Sequence, residues 1–224
     1  MNFVLDLSKL NTERYFIVGD LLGNHQDLIN LLYHQRFSHK DTLITTGNFI
    51  DLEQPTSHDL WFFLKNAVTA YSVKGKNEFN LENKFSEDRT TLPTWITENP
   101  KINDLMKFIN ELPLIIKVSD YIYVVSAGVE PGKDIEDQDP TAFYTIGDYD
   151  KDSRFYQFDN PDKKSWYEFS LLKGENPIKF CFGTFVLDKP DVPGGFSLGH
   201  TKGKPLKYLI FKKGNDEPIY LESI

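Results

Sequence analysis

An α/β architecture follows from three features of the 224-residue chain. Apolar, β-prone runs end in glycine and a polar loop at Arg14–Asn24, Thr42–Asn48, Ala70–Glu78 and Ile122–Gly128. Helix-periodic segments separate the first three of these runs, the arrangement of parallel β-α-β crossovers. Beyond Pro113 short strands alternate with glycine and proline, which predicts a mainly antiparallel second half. Four strand ends with polar tips predict a site assembled along one sheet edge.

Asn2–Leu7 alternates weakly and reads as an edge strand, and Asn11-Thr12 turns the chain into a buried strand over Arg14–Gly19. Gly23-Asn24 opens a helix in which Leu28, Leu31, Leu32 and Phe37 recur on one face through Phe37. Asp41–Gly47 is the second strand. Thr56-Ser57 predicts a capped start for a helix with an apolar face over His58-Asp59-Leu60-Trp61-Phe62-Phe63-Leu64, and Ala70–Gly75 is the third strand. Lys101–Leu112 carries a broad apolar stripe that Pro113 stops. Leu114–Val118 and Tyr121–Ser126 flank the two-residue turn Ser119-Asp120 as a hairpin. Glu130–Asp162, rich in Asp, Pro and Gly, reads as a partly helical surface excursion, followed by strands at Ile178–Gly183, Gly195–Leu198, Leu206–Phe211 and Ile219–Leu221. One domain over residues 1–224 is expected, with no repeat and no linker.

Composition narrows the function. At 40% hydrophobic and 14% aromatic the chain can bury a full core. A formal charge of -8, with 21 Lys and 4 Arg scattered along the chain, leaves no field for a nucleic-acid backbone. Cys181 is a lone thiol in an apolar run, so neither an intrachain disulfide nor a thiolate cluster is available. No run approaches the ~20 apolar residues of a membrane span, and a cytoplasmic location is expected.

The strand tips resemble the five motif blocks of the calcineurin-like metallophosphoesterases, most closely their bacterial and phage serine/threonine phosphatase and symmetrical diadenosine tetraphosphatase branch. The blocks read roughly G-D-x-H-G, G-D-x-x-D-R-G, G-N-H-E, H-A-G and G-H-T. Here they are Gly19-Asp20-Leu21-Leu22-Gly23, Gly47-Asn48-Phe49-Ile50-Asp51-Leu52-Glu53, Gly75-Lys76-Asn77-Glu78 and Ser126-Ala127-Gly128, with Glu111–Ile116 resembling the lead-in to the fourth. The fifth is Gly183-Thr184, in the usual strand-then-glycine setting, or Gly199-His200-Thr201, which copies the letters. The first setting is favoured, because Phe196–Gly199 then falls where the family carries its next strand. The resemblance covers most of the chain and implies a four-layer α-β-β-α sandwich of the metallophosphoesterase type.

It also implies a lost metal centre. Two ions are held in active relatives by the first Asp and His, the second Asp, the Asn-His pair and two later histidines. Asp20 survives, whereas Leu22, Asn48, Lys76, Asn77 and Ser126 replace the others, with Thr184 in the fifth position under the favoured register. Leu52 stands where a phosphate-gripping arginine would follow, and Tyr144–Gly147 offers no second one. A metal pair about 3.5 to 4 Å apart needs anionic or imidazole ligands to activate water and neutralise developing charge. Lys76 adds repulsion for cations. For an anion the same lysine helps, together with the hydroxyls of Ser126 and Thr184 and the amides at Gly23-Asn24.

The expected function is therefore that of a catalytically silent homologue, a pseudophosphatase binding a protein or a small anionic ligand, without a cofactor. A divergent phosphoesterase keeps one divalent ion such as Mn or Mg on Asp20, Asn48, Asn77 and His200; a structural subunit has a filled cleft. Taken singly, Asp20 is a turn residue, His25 a helix-start polar group, and Asp51 and Glu53 solvated acids. The aromatics Tyr156, Phe158, Trp166, Tyr167 and Phe169 are expected to cover a core, with an interface as the other reading.

Overall fold

The computed structural model describes residues 3–150, 154–156, 164–169, 171–173, 176–199 and 202–222. Chain order begins β1 (Val4–Asp6), β2 (Arg14–Val18), α1 (His25–His34), β3 (Asp41–Thr45), α2 (Ser57–Asn66), β4 (Ala70–Ser72), α3 (Lys76–Glu87), α4 (Thr94–Thr97) and α5 (Ile102–Glu111). It continues with the hairpin β5 (Ile115–Lys117) and β6 (Ile122–Val125), then α6 (Ala142–Thr145), β7 (Asp148–Asp150), β8 (Arg154–Tyr156) and β9 (Lys164–Ser165). The last strands are β10 (Leu171–Lys173), β11 (Asn176–Phe182), β12 (Asp191–Val192), β13 (Gly195–Ser197), β14 (Lys207–Lys212) and β15 (Ile219–Glu222).

Two sheets form the centre. One runs β15-β14-β2-β3-β4; the other, seven-stranded, runs β1-β5-β6-β11-β13-β12 with β10 on β11. The period-two alternation of the strands divides the apolar residues among three cores. Tyr15, Ile17, Ile44, Leu209 and Phe211 meet Ile116, Ile122, Val124 and Cys181 between the sheets. Phe16, Val18, Leu43 and Ile210 face the other way, onto Leu28 and Leu31 of α1, Leu60, Trp61 and Leu64 of α2, and Leu105 and Ile109 of α5. On the far side Ile115, Tyr123, Val125, Phe180 and Phe182 pack on Phe143 and Tyr144 of α6 and on Trp166. This is the expected four-layer sandwich, with a thin last layer. No helix among the described residues is long and apolar enough to cross a membrane.

Several local expectations change. α1 stops at His34, three residues short of Phe37, because Arg36 takes a left-handed φ of 52° that the helix cannot continue. Thr56 does not cap α2; its hydroxyl donates to the Gly23 carbonyl at 2.7 Å and ties the α2 start to the first tip. β6, β11 and β13 are parallel neighbours, so the centre of the second half is not antiparallel although its margins are. The excursion after Glu130 is partly internal: Ala142, Phe143 and Tyr144 are buried, and β7 forms a small sheet with β8 and β9. Trp166 is fully buried and Tyr167 stacks on Phe182 at 5.7 Å, which bears out their core-covering role, whereas Phe158 lies outside the described residues.

Candidate functional site

Six strand ends meet at one end of the sandwich. A Cβ on Gly19 would come within 2.0 Å of the Leu198 carbonyl, and one on Gly183 within 1.9 Å of Asp20 Oδ1. Both positions therefore require glycine for close approach of the two sheets. Gly199 lies against Gly183, its added Cβ within 2.5 Å of that carbonyl. The two sequence candidates for the fifth block thus end adjacent parallel strands, which is why both fit. His200 itself lies outside the described residues.

Asp20 is the centre of this junction and is 7% exposed. Thr46 Oγ1 donates to its Oδ1 at 3.0 Å, and Asn48 Nδ2 donates to its Oδ2 at 2.8 Å. Burial pushes the Asp20 carboxyl up to about 8; the Asn48 and Thr46 hydrogen bonds oppose that rise, and the Glu78 charge adds to it. The Asn48 amide is fixed at both ends, since its Oδ1 accepts the Asn77 N–H at 3.0 Å. Its φ of 49° is left-handed, a conformation asparagine tolerates.

Glu78 organises the backbone behind Asn48. Its carboxylate, fully buried, accepts from the N–H groups of Asn48 (2.8 Å), Gly75 (2.9 Å) and Ile50 (2.9 Å). Burial raises its pKa, and these donors pull against the rise. In the sequence Glu78 stands out only as the last letter of the third block. The available signal was an acid three residues beyond the glycine that starts a helix, the reaching-back half of a capping box.

The other sequence-selected positions fall around this pair. Ser126 is fully buried, its Oγ 3.4 Å from Asn48 Nδ2, and its carbonyl accepts from Gly183 N, Thr184 N and Thr184 Oγ1 at 3.0, 3.1 and 3.0 Å. Asn77 donates from its side chain to the Ile50 carbonyl at 2.8 Å. Leu22 is half-buried with φ 46° and donates its N–H to the Asn48 carbonyl at 2.8 Å; Leu21, not Leu22, fills the core. Lys76 is the half-buried first residue of α3. Asp51 and Glu53 do not stand alone, because Lys202 reaches them at 3.1 and 3.8 Å. His25 is half-buried, its ring tilted on Phe63 at 6.3 Å. Cys181 is buried, with its thiol pushed upward by desolvation.

A metal pair does not fit this donor set. Among the described residues two carboxylates lie here, but Glu78 is turned to backbone N–H groups and Asp20 is faced by the Asn48 amide donor, not its oxygen. Among the described residues no three His, Cys, Asp or Glu side chains gather closely enough to hold an ion. The hydroxyl of Thr184 is directed at the Ser126 carbonyl, and the N–H groups of Gly23 and Asn24 donate to the Phe49 and Leu21 carbonyls at 3.0 and 2.8 Å, so these donors expected to grip an anion are engaged internally.

Comparison with known proteins gives no matching family model and no matching curated sequence. Solved structures do match. A "putative diadenosine tetraphosphatase" superposes with a TM-score of 0.78 at 22% identity, over 100% of this chain and 99% of its own. A protein serine/threonine phosphatase from Saccharomyces cerevisiae gives 0.60 at 14%, over 99% and 83%. A metallophosphoesterase from Sphaerobacter thermophilus gives 0.56 at 14%, over 96% and 89%. Likeness at these identities establishes architecture, and the fold of this chain is the one these metallophosphoesterase and phosphatase structures share.

Proposed function

We propose that this chain is a non-hydrolytic member of its fold, whose strand tips are locked by hydrogen bonds and which acts by binding. The observation that carries the reading is the contact of Asn48 Nδ2 with Asp20 Oδ2 at 2.8 Å. A dinuclear hydrolase needs a shared anion between two cations at such a junction, and an amide N–H aimed at the remaining carboxylate repels both. With Asp20 pushed toward its neutral form, the negative charge that would attract a cation is further reduced.

Of the two binding roles, a protein partner is better supported than a small anion, because the Thr184 hydroxyl and the Gly23 and Asn24 amides already donate within the chain. Exposed Tyr33 (80%), Phe62 (46%) and Val68 (92%) supply apolar surface for such a partner. Hydrolysis of p-nitrophenyl phosphate and of diadenosine tetraphosphate with added Mn²⁺ tests the reading. No turnover above buffer is expected, since losing even one electrostatic stabiliser costs ~10²-fold or more. A metal-dependent rate that Asp20→Asn abolishes would establish the divergent phosphoesterase instead.

A further inference from the structure

At the end of the sandwich opposite the tips, we infer that a cavity of about 460 Å³ is a binding site for a small organic cation with an apolar body. The cavity opens where β6, β11 and β13 begin, and the turn joining β14 to β15 overhangs it through Asp216, Glu217 and Pro218. Ile122, of the core between the sheets, and Phe196, packed against that core, line the cavity together with Tyr121, Pro177 and Pro190. This volume and this apolar lining are those of small-molecule sites.

Charge decides the class of ligand. Lys179 stands on a face otherwise made of Ile122, Val124, Cys181 and Phe196. Its ammonium is already matched: it lies 2.9 Å from Asp191 Oδ1, donates to the Val192 carbonyl at 2.7 Å and sits 5.3 Å above the Phe196 ring. Asp216 accepts only a neutral donor, the Ser119 hydroxyl at 2.7 Å, and neither it nor Glu217 has a basic partner among the described residues. Two carboxylates on exposed residues of the overhanging turn thus stand at the rim of a chamber whose own cation is neutralised, and their charge favours a cation over an anion there. Tyr121, also in the lining, is an aromatic group of the kind that attracts cations. An adjoining cavity of about 300 Å³ shares Ile122 and Asp216 but adds Lys212 and Lys213 beside Asp120, so its lining is balanced in charge.

The site is independent of the tips, and its test reads their amides as an internal control. The ¹⁵N-labelled full chain is titrated with phenethylammonium, and separately with phenethyl alcohol and phenylacetate as neutral and anionic probes of similar shape. Saturable shifts of the Ile122, Lys179, Phe196 and Glu217 amides with phenethylammonium are expected, with at least fivefold weaker binding of the other two. The doubly substituted Asp216→Asn, Glu217→Gln chain, altered only at exposed positions, is expected to bind phenethylammonium at least fivefold more weakly with an otherwise unchanged spectrum. Equal or tighter binding of phenylacetate, shifts centred on Asn48 and Gly183, or no saturable shift would each overturn the assignment.

Discussion

Two buried aspartates stand at opposite ends of the paired strands β2 and β3, and they are handled in opposite ways. Asp41, 1% exposed, takes a bidentate Arg14 at 2.8 Å on each oxygen and also accepts from Ser38. Burial alone would raise its pKa, but Arg14 and Ser38 hold it below the ordinary carboxylate range. Asp20 has comparable burial and only an amide and a hydroxyl for partners, and its pKa rises to about 8. The first end of the sheet is therefore held by an ion pair and the second by a nearly neutral clasp.

The largest expected consequence is in the pH dependence of stability. For Asp20 the folded pKa lies above the unfolded value of about 3.9, so between roughly pH 4 and 8 the folded chain holds a proton that the unfolded chain has released. Stability falls as pH rises through that window and levels off above it, by up to about 1.4 kcal/mol per pH unit. Asp41 acts with the reverse sign: its contribution is present above the unfolded carboxylate pKa and is lost as pH falls through the lowered folded value. Urea unfolding at several pH values is expected to show the falling slope in the parent chain and a clearly shallower one in Asp20→Asn, where Glu78, its pKa also raised by burial, still contributes with the same sign. An unchanged slope in that variant would place the titration elsewhere.

The same substitution at the two sites sharpens the contrast. At pH 8 Asp41→Asn is expected to cost about 2 to 3 kcal/mol, by removing the charge that pairs with partly exposed Arg14. Asp20→Asn at that pH is expected to be neutral or stabilising. Destabilisation of similar size at both sites, read from urea midpoints, would erase the distinction. A smaller effect is expected from Gly183→Ala, whose new methyl group would intrude on Asp20 Oδ1 and Thr46 Oγ1. It should cost about 1 to 3 kcal/mol by overpacking, and no loss would mean that the tips are less closely joined than described.

Much of this arrangement was legible in the residues. The apolar runs of β2 and β3, the stripe of α5 stopped by Pro113 and the Ser119-Asp120 hairpin carry local signals that the fold simply uses. α3 escaped notice because KNEFNLENKFSE is polar nearly throughout, burying only Glu78 and Leu81. The parallel setting of β11 between β6 and β13 is set by packing between distant segments, which turn chemistry cannot reveal. At the tips, the changed letters at Asn48, Ser126 and Thr184 identified the place. What they do there depends on direction: that Asn48 presents its N–H to Asp20, and that Thr184 turns to the Ser126 carbonyl, exists only in three dimensions.

The uncharged clasp is tested most directly by the metal content of the chain purified without chelator and equilibrated with Mn²⁺, compared with a variant carrying Leu22→His, Asn48→Asp, Lys76→Asn, Asn77→His and Ser126→His. Elemental analysis should give well under one ion per parent chain and bound Mn²⁺ in the variant, whose left-handed backbone at position 22 accepts histidine more readily than leucine. Two ions per parent chain, removed by Asp20→Asn, would contradict the account.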